Sequence, residues 1–314
     1  MRHQHLTLAI YNALAALLLL SGCSGDDSAR QGMSLKVASF DLAVGKLQRF
    51  QVGVVDDRDE LVLVGGSVAL EFRYFGDGKG VEARPSSFDS VASFVPLAGQ
   101  QELPSDARPE FRPDITGVYR TDRITFPASG FWELKVSVIG RDLRAVASFE
   151  VAPTSAVPRP GDRAPATQNP LRGSSDVPIR AIDSRANASD DSVPDTELHR
   201  VSIADALATR TPLIVVVSTP TFCQSRFCGP ITDSLSAIAR TTPATVAFVH
   251  LEVWQNYEAS MLNPAAQEWI DPSRSREGNE PWVFAVDRTG LIVERFDNVA
   301  SDADLRQAVS QILR

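Results

Sequence analysis

The sequence predicts two folded parts of different class, an all-β sandwich over residues 34–152 and an α/β domain over residues 198–314. Three observations predict it. Apolar residues alternate with period two through the first part. Leu213-Ile214-Val215-Val216-Val217 is a continuous apolar run in the second, and seven prolines from Pro153 to Pro194 lie between them. A length of 314 residues suits about two domains, and 43% hydrophobic with 22% charged residues is ordinary globular composition. The net charge of −8 argues against a nucleic-acid partner, which would need a basic stripe to displace phosphate counterions.

In the first part Trp132, Leu134, Val136 and Val138 face one way, while Glu133, Lys135 and Ser137 face the other. Val68, Leu70, Phe72 and Tyr74 repeat the pattern, as do Ala145, Ala147, Phe149 and Val151. Gly76-Asp77-Gly78 and Pro127-Ala128-Ser129-Gly130 are turn signals between such runs. Short strands without a long helical pattern predict an antiparallel sandwich. Trp132 and Tyr119 read as core. Asp56, Asp57, Asp59 and Glu60 lack the glycine-punctuated spacing of a calcium loop and read as a solvated turn. No catalytic constellation stands out here, so this part is expected to space, present or dock.

Residues 153–197 combine their prolines with Ser, Asp and Arg, and are expected to form a linker whose end, near Val177 to Ile182, packs on the α/β domain. In the last part, Ile231, Leu235, Ile238 and Ala239 come after Cys228-Gly229-Pro230 at helical spacing, with Pro230 suited to a first turn. Val246 to Leu251 reads as a strand. Trp282 to Val286 and Leu291 to Phe296 read as a hairpin about Asp287-Arg288-Thr289-Gly290, and Ser301 caps a last helix carrying Leu305, Val309 and Ile312.

The N-terminus reads as an address. Arg2 precedes an apolar run from Leu6 to Leu20, too short for a membrane-spanning helix, and small residues come next at a cut site. Leu20-Ser21-Gly22-Cys23 resembles a bacterial lipobox. The resemblance implies a signal peptide over 1–22, lipid on Cys23, a tether over 23–33, and a chain held on the extracytoplasmic side of the cell membrane. It also leaves Cys223 and Cys228 as a pair, in a compartment where a close pair can stay oxidised.

Two stretches carry further resemblances. Gly117-Val118-Tyr119 through Gly130-Phe131-Trp132 resembles the late strands of bacterial immunoglobulin-like modules. Ser218-Thr219-Pro220-Thr221-Phe222-Cys223, Glu280-Pro281-Trp282-Val283-Phe284 and Asp287-Arg288-Thr289-Gly290-Leu291-Ile292 resemble thioredoxin-like proteins, over about residues 198–314. That family's pattern is C-x2-C, whereas four residues separate Cys223 from Cys228. Counting from the strand puts Cys223 at the nucleophile position; matching Cys-Gly-Pro puts Cys228 there instead. The first register is favoured, because strand spacing fixes geometry.

The resemblance implies thiol–disulfide exchange with an extracytoplasmic thiol or disulfide protein. Cys223 would attack, Cys228 resolve, and Pro281 form a cis-proline beside a substrate groove. Arg226 and the helix start near Gly229 would favour a thiolate. Val217 occupies the place of the family's buried carboxylate, so proton transfer falls to water or to Glu252. The non-enzymatic alternative is a surface binding or scaffold lipoprotein whose Cys223–Cys228 disulfide is structural. No cofactor or metal is expected. There is no Gly-rich phosphate loop or serine-hydrolase elbow, and His199 and His250 read as structural.

Overall fold

The computed structural model describes residues 32–78, 86–174, 177–189, 192–273 and 279–314. The expected signal peptide, Cys23 and nearly all of the expected tether lie outside the described residues.

Alternation becomes strands throughout the first part: β1 (Met33–Val37), β2 (Gln48–Asp56), β3 (Val62–Val64), β4 (Ser67–Gly76), β5 (Ser87–Pro96), β6 (Glu110–Arg112), β7 (Gly117–Ile124), β8 (Gly130–Val138) and β9 (Arg144–Val151). All nine belong to one sheet in the order β6-β3-β2-β7-β5-β4-β8-β9, with β1 on β2. Every pairing in it is antiparallel. The sheet folds over on itself: the Ala152 amide donates to the Leu42 carbonyl at 2.8 Å, bringing the end of β9 beside the segment between β1 and β2. Its inner face buries Phe50, Phe72, Phe126, Trp132 and Leu134. At about 25 cal/mol per Å² of apolar surface, each of these large side chains contributes a few kcal/mol to folding.

The second part contains α1 (Ile203–Ala208), β10 (Leu213–Ser218), α2 (Cys228–Thr241), β11 (Ala247–Glu252), β12 (Trp254–Asn256), β13 (Met261–Leu262), α3 (Pro264–Gln267), β14 (Trp282–Val286), β15 (Ile292–Asp297) and α4 (Asp302–Ile312). A four-stranded sheet runs β11-β10-β14-β15. The apolar run Leu213–Val217 is buried on both faces: Ile214 and Val216 enter one core cluster, and Leu213, Val215 and Val217 another. Gly290 turns the β14–β15 hairpin at φ +81°, a conformation L-residues avoid. Ser301 caps α4 in a capping box with Asp304. No helix among the described residues is long and apolar enough to cross a membrane.

The expected fold class, an immunoglobulin-like sandwich plus an α/β thioredoxin-like domain, is corrected by this architecture. The molecule is mostly β, 38% strand against 16% helix, and its dominant feature is a large antiparallel sheet. In the second sheet only β10 and β11 run parallel, and β10–β14 and β14–β15 are antiparallel. Where a helical layer would have to lie between β11 and β14, the described residues form a short hairpin and the four-residue α3. Buried apolar runs fix that a strand is enclosed; they do not fix what encloses it.

Nor do two independent bodies appear, since residues 32–314 form one compact unit. Ala38, Leu97, Ala98 and Val118 of the first part share a core cluster with Ile214, Phe296, Val299 and Leu305 of the second. Arg49 pairs with both carboxylate oxygens of Glu294 at 2.7 and 2.9 Å, and Arg120 with both of Asp304 at the same distances. Gln51 donates to the Asp297 carbonyl at 2.8 Å, and the Phe40 amide to the Asp297 carboxylate at 2.7 Å. Much of the proline-rich stretch is also packed. Ile182, Ala186 and Val193 form a small apolar cluster, and Asp183 is fully buried.

Candidate functional site

Strand β10 ends at Ser218, and the loop 219–227 carries the chain to α2, whose first residue is Cys228. Cys223 and Cys228 form a disulfide, with Cα atoms 6.0 Å apart, inside the range such a bridge requires. The two sulfurs are not equivalent. Cys228 is fully buried, whereas Cys223 is partly exposed.

Phe227 precedes α2 without a side-chain cap. The Cys228 amide donates instead to the Cys223 sulfur at 3.3 Å. A group that would otherwise be an orphan donor at the helix start is thereby satisfied by sulfur. Pro230 suits this first turn, because it has no N–H to leave unpaired. The positive end of a 14-residue helix also faces this sulfur. Arg226 is exposed and sits in the left-handed region at φ 64°, between the two cysteines.

The Glu280–Pro281 bond is cis and immediately precedes β14. The Ser225 hydroxyl lies 3.3 Å from the Cys223 sulfur and also donates to the Glu280 carbonyl at 3.3 Å, tying the cysteine loop to this segment. A carboxylate oxygen of Glu280 and both sulfurs lie within 4.8 Å of one another. Glu280 is 2% exposed, and its Oε2 has no hydrogen-bond partner among the described residues. Burial, reinforced by the charge of Glu252, pushes the Glu280 carboxyl up to about 7.

Glu252, expected beside water as a candidate for proton transfer, ends β11 and is buried. One of its oxygens accepts from the Ser184 amide at 2.9 Å and the other from the Trp254 amide at 3.3 Å. Burial also pushes its carboxyl up. Glu280 is therefore the carboxyl grouped with the sulfurs, and Glu252 stands behind it. In the sequence Glu280 stands out only as the residue before Pro281. Nothing local signals that a charged residue at that position turns inward.

Beside Cys223, the Phe222 ring stacks on Tyr257 at 4.1 Å, and the Arg180 guanidinium lies 5.5 Å from the Phe222 ring centre. A groove of ≈ 420 Å³ lined by Arg180, Phe222, Trp254 and Tyr257 opens here. A larger cavity of ≈ 530 Å³, lined by Phe40, Asp41, Phe149 and Trp282, includes neither cysteine in its walls.

Comparisons of the chain with protein-family models, with curated proteins and with solved structures find no match. The functional reading therefore rests on the residues themselves.

A second buried cluster lies on the same side of the sheet. His250 of β11 and His199, just after a single helical turn at Thr196–Leu198, both face Asp183 of the proline-rich stretch. Burial opposes the charge of Asp183, yet the two imidazoles and the Arg185 guanidinium hold its carboxyl far below the usual range.

Proposed function

We propose that this chain is a lipid-anchored, extracytoplasmic thiol–disulfide exchange protein, with Cys223 as the attacking sulfur and Cys228 as the resolving one. The observation that carries this reading is the asymmetry of the pair. Exchange passes through a mixed disulfide, so the attacking sulfur must be reachable while the resolving one is close and shielded. Cys223 is partly exposed and accepts the first amide of α2, which favours its thiolate; Cys228 is fully buried.

In the reducing direction, the Cys223 thiolate attacks one sulfur of a partner disulfide. A Cys223–partner disulfide forms, and the partner's other sulfur leaves as a thiolate. The Cys228 thiol then gives its proton to the Glu280 carboxylate and attacks the Cys223 sulfur. The Cys223–Cys228 bond forms and the second partner thiolate is expelled. The partner gains two electrons, and this chain loses two. Run backwards, with Glu280 returning the proton, the same steps oxidise a partner dithiol. The groove at Phe222, Tyr257 and Arg180 offers stacking surface for the partner chain next to the reacting sulfur.

Two measurements test this reading. Inert secreted disulfides have reduction potentials below about −300 mV, so an exchanging pair should equilibrate with glutathione buffers above that value. Cys228→Ser should accumulate mixed disulfides with partner proteins, and Cys223→Ser should not. The reverse trapping pattern moves the attacking role to Cys228. A potential below about −300 mV together with no trapping from either variant means that the bridge is structural.

A further inference from the structure

We propose that Asp183, His199 and His250 form a binding site for one divalent transition-metal ion of the zinc class. The three groups come from distant segments and converge in the interior. His250 Nδ1 lies 3.4 Å from Asp183 Oδ2, and His199 Nε2 lies 3.5 Å from the same oxygen. All three ligand atoms fall within 4.8 Å of one another. Zinc bonds to imidazole nitrogen and carboxylate oxygen are about 2.0–2.2 Å long, so tetrahedral geometry places neighbouring ligand atoms roughly 3.3–3.5 Å apart. The two nitrogen–oxygen separations match, and both are longer than a strong hydrogen bond.

The imidazole lone pairs support the assignment. The His250 side chain is completely buried and that of His199 is 2% exposed, yet His250 Nδ1 and His199 Nε2 lack hydrogen-bond partners among the described residues. The other nitrogen of His250, Nε2, lies 3.2 Å from the Ser218 carbonyl oxygen. A carbonyl only accepts, so Nε2 carries the hydrogen, which leaves Nδ1 facing Asp183 to be occupied by a second proton or by a metal ion. A lone pair facing a carboxylate oxygen is repulsive unless a positive charge lies between them. Metal-bound histidines hold their second nitrogen on a backbone carbonyl in this way.

Charge and chemistry agree. Arg185 donates to both oxygens of Asp183, at 2.8 to 3.0 Å, and orients them. Its own charge is answered by Asp195 at 2.7 Å and Asp233 at 2.9 Å. Three carboxylates surround this one guanidinium, so the neighbourhood suits a further cation. Two imidazoles and one carboxylate suit zinc, cobalt or iron in the divalent state better than calcium, magnesium or cuprous ion. The ion would fasten the proline-rich stretch to β11, a role independent of the cysteine pair.

The test uses the full chain in detergent, kept oxidised so that Cys223 and Cys228 offer no thiolate. Titration with Co²⁺ should give visible d–d bands that saturate at one equivalent and are displaced by Zn²⁺. His199→Gln should weaken Co²⁺ binding by about 100-fold or more. Should that variant fail to fold, the parent chain decides alone, because an ion that binds only the native state must raise the thermal midpoint. A rise with Zn²⁺ that a chelator reverses supports the site. Absence of saturable bands and of any midpoint shift, or unchanged affinity in His199→Gln, overturns it and leaves a proton shared among the three groups.

Discussion

Glu280 is packed in the interior within the field of Glu252, and burial together with that neighbouring charge holds its proton until about pH 7. In the unfolded chain the same carboxyl releases its proton near 4.5. Between those values the unfolded state ionises while the native state remains protonated. Stability from this group is complete below pH 4.5, falls as pH rises, and levels off above 7. The oxidised wild-type chain should lose about 2–3 kcal/mol more between pH 5 and pH 8 than Glu280→Gln does, at about 1.4 kcal/mol per pH unit. Urea unfolding at the two pH values measures it. Equal losses would show that Glu280 ionises normally.

The unequal exposure of the two sulfurs sets an order of reactivity. After reduction, Cys223 should alkylate with iodoacetamide at least about 10-fold faster than Cys228 at neutral pH, since only the exposed, amide-bonded sulfur presents a thiolate. Mass spectrometry of peptides from a time course reads the ratio directly. Comparable rates would mean that reduction unfolds the loop.

The side chains of Arg120 on β7 and Asp304 on α4 are 9% and 12% exposed and share two hydrogen bonds where α4 meets the large sheet. Arg120→Ala strands a buried carboxylate and should cost about 3 kcal/mol. A double-mutant cycle with Asp304→Asn should return a coupling of about 1–3 kcal/mol. The same cycle on the exposed Lys36–Asp59 pair serves as the control and should show no measurable coupling. No coupling at Arg120–Asp304 would mean that this ion pair adds nothing to the contact between the large sheet and α4.

The address rests on Leu20 to Cys23. Cys23→Ser should move the protein from the membrane fraction to the soluble one, with loss of the lipid mass. A variant that stays in the membrane at unchanged mass rejects lipidation.

Strand positions were legible because each alternating run has its own period, and Trp132, Leu134 and Val136 do point inward. Their partners were not legible. That β4 sits between β5 and β8, and β7 between β2 and β5, is a long-range choice made by side-chain packing, on which period-two patterning is silent. The cap at Ser301 and the turn at Gly290 could be read because their chemistry is local. Asp183 could not. In a stretch rich in Pro, Ser and Arg it resembles any solvated residue, and besides its neighbour Arg185 it meets His199 and His250, which come from beyond its own turn. The cysteine loop was half legible: pairing and spacing lie in the sequence, but the nearby carboxyl does not.

The shared core beneath the two sheets limits how this protein could be divided. Composition suggests seams near residues 152 and 198, where a gene fusion or a protease would be expected to act. A cut at either place would expose Leu97, Ala98 and Val118, and would strip Asp297 of the Phe40 amide and the Gln51 side chain. The first fragment would keep the cluster around Phe50, Phe72 and Trp132 but lose the cover over Leu97, Ala98 and Val118. The two halves are thus not interchangeable cassettes: the segment that carries Cys223 and Cys228, moved onto another scaffold, would leave behind side chains that cover its core.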